Sequence, residues 1–188
     1  MVRCLHEFGK KCEIVGFKDV EIADTEGLLD AIKRERLADA EIQFFDADLV
    51  ATWEHICFAA LNSLLAFENG KNISKSPAME TMLYASARSQ IRKATEFLGI
   101  KPSSSNVAIL VLTRKPENVQ CALTKISACI GGQRDDSVLE LSRTKIQKIR
   151  KAFEVSEEEL ETTTAWPNVE KALIDLVLER VALVAAQR

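Results

Sequence analysis

The chain has 188 residues, of which 47% are hydrophobic and 28% are charged, and its formal net charge at pH 7 is −3. These values exclude a chain that is disordered throughout and a uniformly basic protein that coats nucleic acid. A chain of this length is expected to form one domain with a sizeable core.

The cysteines and the N-terminus predict the cellular compartment. There are five cysteines, an odd number, and none forms a CxxC pair. The first residues, MVRCLHEFGKKC, lack the long apolar region of a signal peptide, and the apolar runs of the chain are shorter than the ~20 residues that span a bilayer. We therefore expect a cytoplasmic protein with reduced thiols and no membrane segment.

The first third of the chain predicts a hairpin, a helix, a strand and a second helix. Short apolar runs at residues 3–8 and 12–17 flank Gly9-Lys10 and indicate a β-hairpin. Thr25 opens an amphipathic helix, and residues 41–45 form a strand that ends where Asp46 or Asp48 can cap the next helix. That helix, from about residue 49 to residue 67, is apolar on most of its circumference, which is typical of a buried helix.

The middle of the chain predicts two short helices followed by the strongest strand. Ser76-Pro77 has the order of a cap followed by the first helical residue. Ser86 is predicted to cap a second helix that runs to Leu98, with Gly99 as its stop. Residues 106–113, NVAILVLT, are continuous, rich in β-branched residues and bounded by turn chemistry.

The last third predicts a helix from Pro116, a short strand over residues 137–141 and three further helices. The beginnings of those three helices carry capping signals, namely Ser142, Ser156 with Glu159, and Pro167. Helices outnumber strands and do not alternate strictly with them. The pattern favours an α+β fold, a single domain over residues 1–188, with a small, mainly antiparallel or mixed sheet of about four to five strands packed with several helices.

No arrangement of residues typical of catalysis or metal binding is found in the sequence. His6 falls in a strand and His55 on the polar side of the buried helix, without an HxxxH or HExxH spacing. Adjacent Asp135 and Asp136 enter a predicted strand, where neighbouring side chains point to opposite faces. The sequence predicts no catalytic residue, no metal and no cofactor.

Positive charge collects in residues 71–101, here called the basic segment. Its six cations oppose only Glu80 and Glu96, and they are Lys71, Lys75, Arg88, Arg92, Lys93 and Lys101. The spacing of Arg88 and Arg92 predicts one helix face. The polar residues around them, namely Asn72, Ser74, Ser76, Tyr84 and Gln90, are candidates for phosphate and base contacts. A solvated helix face explains the charges about equally well.

Two other stretches leave alternatives open. A second basic cluster lies within residues 143–151, but the acids at 157–161 can neutralise it, which favours a solvated face. The last helix carries a core stripe that consists of Leu173, Leu176, Val177, Val181 and Val184. Ile174, Leu178 and Ala185 widen its apolar arc. Such a helix is either deeply buried or covers a partner.

Residues 45–101 resemble the signature stretch of the PRPK-binding protein family, the kinase-associated subunit of the KEOPS (EKC) complex. The matching elements are Asp46-Ala47-Asp48, Ala60-Leu61-Asn62, Lys71-Asn72-Ile73, Glu80 with Tyr84-Ala85-Ser86, Gln90-Ile91 and Gly99. Ile130-Gly131-Gly132 and residues 135–139 extend the similarity, which covers about residues 40–185. Ala87-Arg88-Ser89 departs from the Gly-x-Arg of the family, which leaves open which arginine contacts a phosphate.

The resemblance implies a function. The KEOPS complex makes N6-threonylcarbamoyladenosine at position 37 of ANN-decoding tRNAs. The subunit resembled has no active site, binds the N-lobe of the small atypical kinase/ATPase of the complex and engages the tRNA 3′ CCA end. On that basis the tRNA contacts are predicted to be Lys71, Asn72, Lys75, Arg88, Gln90, Arg92 and Lys93, and the kinase contacts Ile174 and Leu178. A small uncharacterised enzyme and a structural homodimer without an RNA function are the alternatives.

Overall fold

A computed structural model describes residues 2–5, 8–35, 39–115, 117–163 and 169–187. The predictions for His6, Pro116 and Pro167 lie outside these residues. Within them the strands are β1 (Val2–Leu5), β2 (Lys10–Lys18), β3 (Ala40–Asp46), β4 (Val107–Thr113) and β5 (Gln133–Arg134). The helices are α1 (Thr25–Arg34), α2 (Trp53–Glu68), α3 (Pro77–Ala85), α4 (Ile91–Leu98), α5 (Glu117–Ile130), α6 (Arg143–Ala152), α7 (Glu157–Thr163) and α8 (Val169–Ala186).

The strands form one sheet whose described pairings are all antiparallel. Its order is β1-β2-β4-β3, and β5 pairs with β2 outside this path. The strongest predicted strand, β4, is buried at every residue and pairs with β2 on one side and β3 on the other. The predicted hairpin is confirmed as β1 and β2. The α+β fold class with a mainly antiparallel sheet is therefore confirmed.

Alternation of side chains along the strands divides the core between the two faces of the sheet. Ile14, Phe45 and Leu110 lie on the face that packs against α2, α3 and α8. Phe17 and Ile109 lie on the opposite face, in the cluster that includes residues of α1 and α5. A third cluster, without sheet residues, joins α6, α7 and α8.

Three boundaries differ from the sequence predictions. Asp46 caps a 3-10 helix at Ala47–Leu49 through the N–H of Asp48, at 3.1 Å, so α2 begins only at Trp53. Ser86 is the C-cap of α3 and not the N-cap of α4, which begins at Ile91. Gly99 has φ −72°, so it ends α4 in extended and not left-handed backbone.

The predicted strand at residues 137–141 is wrong. Asp135 accepts a hydrogen bond from the N–H of Ser137 at 3.0 Å and thereby caps a 3-10 helix at Asp136–Leu139. Asp136 accepts the N–H of Gly16 at 2.9 Å, and a Cβ at Gly16 would lie 2.5 Å from the carbonyl oxygen of Asp135. The two acids therefore fasten this turn onto β2, where only glycine leaves room for it.

None of the helices in the described ranges combines the length and apolar character that crossing a membrane requires. Among the same residues, no three His, Cys, Asp or Glu side chains cluster in a way that could hold a metal ion.

Candidate binding surfaces

The loop before α3 is held by a buried carboxylate. Glu80, which is wholly buried, accepts hydrogen bonds from the backbone N–H groups of Ile73 at 3.0 Å and Ser74 at 2.7 Å. The side chain of Asn72 donates to the carbonyl of Ser74 at 2.9 Å, and Ser76 caps α3 through the N–H of Met79. Polar groups of Asn72, Ser74 and Ser76, which were predicted as candidates for phosphate contacts, thus stabilise the loop itself.

The cations at both ends of this loop point outward. Lys71 and Lys75 are exposed, whereas Ser74 is buried. Ile73 lies between them with 50% of its surface exposed. The loop therefore presents two positive charges and one apolar side chain to solvent.

Helices α2 and α3 end in the same hydrogen-bonding pattern. After α2, the N–H of Lys71 donates to the carbonyl of Ala66, and Gly70 has φ 65°. After α3, the N–H of Arg88 donates to the carbonyl of Leu83, and Ala87 has φ 51°. Both are Schellman motifs, in which the left-handed position favours glycine. The second one places a non-glycine residue where the family resemblance leads us to expect glycine.

Arg88 and Arg92 do not share a helix face, which corrects the sequence prediction. Arg88 lies in the turn after α3, and its guanidinium lies 4.8 Å from the centre of the Phe97 ring. Arg92 lies in the first turn of α4 and pairs with Glu96 at 3.3 Å. The left-handed Ala87 separates the two helices, so the four-residue spacing does not apply to a single helix.

The beginning of α4 gathers positive charge where helix electrostatics disfavour it. Arg92 and Lys93 are exposed in a first turn without an acidic residue, and Gln90 makes no side-chain cap hydrogen bond. The N-terminus of a helix is its positive end, so cations there are destabilising unless an anion offsets them. Ile91 is 42% exposed beside them. The first turn of α4 therefore presents two cations and one apolar side chain to solvent.

Tyr84 is not available for base stacking. It is 3% exposed and belongs to the core cluster around α2 and α3. The exposure of Ile73 and Ile91 was not predicted from the sequence, because single apolar residues beside short helices are usually interpreted as core. Their position within the basic segment was the available signal.

His55 is part of the core and not on a polar face. The N–H of Ala51 donates to its Nδ1 at 3.3 Å, so Nε2 carries the proton and donates to the carbonyl of Ala85 at 2.8 Å. The Phe153 ring contacts it edge-on with the centroids 5.6 Å apart. Burial lowers the pKa of His55 to about 4, so the ring is neutral at physiological pH. It joins α2, α3 and the end of α6.

The second basic cluster, on α6, is largely engaged by the protein. Lys145 is buried and donates to the carbonyls of Val138 at 2.7 Å and Glu140 at 3.2 Å, and burial lowers its pKa to about 8. Lys148 pairs with Asp48 at 2.6 Å, and Arg150 lies 3.7 Å from Glu157.

Helix α8 has a buried stripe and a half-buried face. The residues predicted as its core stripe are buried, except for half-buried Val184. Ile174 and Leu178 are half-buried and four residues apart, so they share a face. Ile174 lines a groove of about 380 Å³ together with Trp53 and Leu141. The helix therefore serves the core on one side and leaves an apolar face on another.

The protein combines an α+β fold, a basic loop held by Glu80 and a half-exposed apolar face on α8. These features are typical of a binding protein. Residues 17–185 match the family described as kinase binding protein CGI-121. The chain is also 30% identical over 148 residues to the regulatory protein Cgi121 of Methanocaldococcus jannaschii. The aligned region covers 79% of this chain and 86% of that protein. The chain belongs to the CGI-121 family of kinase-binding regulatory proteins, and the resemblance seen in its sequence is confirmed.

Proposed function

We propose that this protein is a non-catalytic, cytoplasmic subunit of the KEOPS complex. It binds the small atypical kinase/ATPase of the complex and the 3′ CCA end of tRNA, and thereby supports formation of N6-threonylcarbamoyladenosine. The kinase-binding description of the family supports the first partner. No catalytic role is assigned to the chain, because His55 is wholly buried with both ring nitrogens engaged, and Asp135 caps a turn.

The kinase surface is the half-buried face of α8. Ile174 and Leu178 remain partly exposed while the neighbouring Leu173 and Val177 are fully buried. Ile174 opens onto the groove that Trp53 also lines. Apolar and aromatic side chains around a groove are the usual anchors of a stable interface. The family description supports the kinase as partner, and the half-buried face of α8 supports the assignment of the surface that binds it.

The test is co-elution with the recombinant kinase in size-exclusion chromatography. Ile174→Glu/Leu178→Glu should abolish co-elution, because two charges would be desolvated at the interface. The matched control is Asp175→Lys/Glu179→Lys, which changes two exposed residues of the same helix. Circular dichroism must show that both variants are folded. Surviving co-elution, or unfolding of both this variant and a milder Ile174→Ser/Leu178→Ser, would contradict the assignment.

The tRNA surface is the outer side of residues 71–93. Lys71 and Lys75 lie just before α3, and Arg88 lies after its end, so the cations are spread over about 13 Å of helix axis. Arg92, Lys93 and Gln90 add the beginning of α4. Asn72 is assigned a supporting role because its amide holds the loop.

The exposed apolar residues favour a single-stranded end as the ligand. Phosphates need only cations, whereas unstacked bases also need apolar or aromatic cover. Ile73 lies between the lysines of the loop, and Ile91 lies beside the cations of α4. This pairing of charge with apolar surface supports the CCA end over duplex RNA.

A further inference from the structure

The edge strand β3 lies in the floor of an open apolar groove. The groove has a volume of about 710 Å³, which is within the usual range for binding pockets. Leu29 and Ile32 of α1 form one wall, and Ala78 and Met79 of α3 form the other. Ile42 of β3 lies between them and is half-buried. The groove is separate from the α8 face and from the outward cations of the basic segment.

The hydrogen bonds of β3 define which backbone groups point into this groove. Ala47 follows the strand and donates its N–H to the carbonyl of Asn106, the residue before β4. Because backbone direction alternates along a strand, residues 45, 43 and 41 also bond β4, and residues 44, 42 and 40 point away from it. The side chain of Gln43 reaches the outward carbonyl of Phe44 at 3.3 Å, as this alternation requires.

This edge is available for pairing. In the described part of the chain, the N–H groups of Ile42 and Phe44 and the carbonyl of Ile42 have no protein hydrogen-bond partner. Natural edge strands are usually protected by lysine, proline or a bulge. The strand β3, AEIQFFD, contains neither lysine nor proline, and its register with β4 is continuous.

The shape of the groove selects the occupant. A second copy would present its own β3, which is recessed between the same two helices. Pairing two copies at the ~4.8 Å spacing of a sheet would therefore bring α1 and α3 of one copy against α1 and α3 of the other. A single extended chain meets no such obstacle. We propose that an extended peptide segment of another protein binds in this groove and adds a strand to the sheet beside β3.

The two walls specify the side chains of that segment. Phe44 and Ile42 lie on the sheet face that packs with Leu29 and Ile32, so every second residue of the segment meets an apolar wall. The other residues of the segment point to the same side of the sheet as Gln43. There the wall formed by Ala78 and Met79 also includes hydroxyl groups. The hydroxyl-bearing residues of that wall are Ser76 and Thr95. The ligand is therefore a strand in which apolar β-branched residues alternate with small polar ones.

The experiment uses the full chain and a labelled peptide, acetyl-Lys-Val-Thr-Val-Thr-Val-Lys-amide, with binding followed by fluorescence anisotropy. N-methylation of the valine amides should weaken binding by at least about tenfold if the peptide pairs antiparallel, and N-methylation of the threonine amides should do so if it pairs parallel. In either case the other methylated peptide should bind like the parent. Equal effects of the two methylations, or no binding up to about 1 mM parent peptide, overturn the proposal.

A variant tests the same pairing from the protein side. Ile42→Pro removes an outward N–H without removing a bond to β4, and proline is tolerated at such edge positions. It should weaken binding about tenfold, whereas Ile42→Val should change it less than about twofold. If Ile42→Pro does not fold, the methylated peptides decide the proposal with the unaltered protein. A dimer in sedimentation that Ile42→Pro dissociates would assign the edge to a second copy and overturn the peptide proposal.

Discussion

Glu80 and Ser74 are joined by a 2.7 Å hydrogen bond between a buried carboxylate and a backbone N–H. The same oxygen also accepts the N–H of Ile73, so one side chain of α3 fixes two consecutive residues of the preceding loop. The exposed lysines on this loop are therefore presented by a preorganised backbone, and the ordering cost of ligand binding is reduced.

Glu80→Gln should lower the free energy of unfolding by about 1–3 kcal/mol, because the neutral amide is a weaker acceptor for two buried N–H groups. Urea unfolding measures the change. Glu96→Gln, at an exposed position on α4, serves as the control and should stay within about 0.5 kcal/mol of wild type. Equal stability of the two variants would mean that the loop does not depend on Glu80.

Replacement of the α4 cations should change the salt dependence of tRNA binding. For every phosphate that Arg92→Ala/Lys93→Ala no longer neutralises, the slope of log affinity against log salt should fall by about 0.7 on a single-stranded end. Arg143→Ala/Lys151→Ala removes two cations from α6 and is the matched control. An unchanged slope in the α4 variant, with a reduced slope in the control, would place the RNA on α6.

Replacement of the exposed isoleucines should act on the bases and not on the phosphates. Ile73→Ser/Ile91→Ser should weaken binding of intact tRNA by up to about 1.5–3 kcal/mol for each isoleucine that the bases bury, without changing the salt slope. Binding of tRNA without its CCA end should already be weak and should not respond to this variant. Titrations of both RNAs by filter binding test this. Equal affinity of wild type for intact and trimmed tRNA would contradict the CCA assignment.

Ala87→Gly should stabilise the protein by about 0.5–1 kcal/mol, because φ 51° is strained for alanine and free for glycine. The control is Ala85→Gly, two residues earlier in the last turn of α3, which should destabilise by about 1 kcal/mol. Thermal unfolding distinguishes the two. A loss of stability in both variants would show that the left-handed turn does not govern the end of α3.

His55 should make stability fall in acid. Its pKa is lowered from 6.5 to about 4 in the folded protein, so the unfolded chain binds a proton that the folded chain does not bind between those values. The contribution of neutral His55 to the free energy of unfolding is complete above pH 6.5. It declines by about 3 kcal/mol in total as the pH falls towards 4. Guanidinium unfolding of wild type and His55→Gln across this range measures it. The difference between the two proteins should shrink as pH falls, and parallel curves would exclude the effect.

Local signals in the sequence predicted most of the elements. Ser76-Pro77 begins α3, and the N–H of Ser156 donates to Glu159 at 2.8 Å in the expected capping box. Such interactions involve residues three or four apart, so composition and spacing determine them. The family resemblance rests on the same short-range patterns, together with their order along the chain.

Contacts between distant segments were not predictable in this way. His55 is buried because Phe153, almost a hundred residues later, covers it. The exposure of Ile73 and Ile91 depends on how α3 and α4 pack, which their own sequences do not specify. Arg88 leaves the helix face predicted for it because Ala87 adopts a left-handed conformation and the guanidinium stacks on Phe97.

The central position of β4 determines when the sheet can form. Both β2 and β3 precede β4, and the β2 pairing with the shortest separation, Phe17 with Val107, still spans about ninety residues. Closure of such long loops is slow. During synthesis, β2 and β3 therefore lack their partner β4 until β4 has left the ribosome. A fragment that stops before Val107 should therefore expose the free edge of β2 in the β1–β2 hairpin and an unpaired β3, and it should aggregate, even though it contains complete α2, α3 and α4.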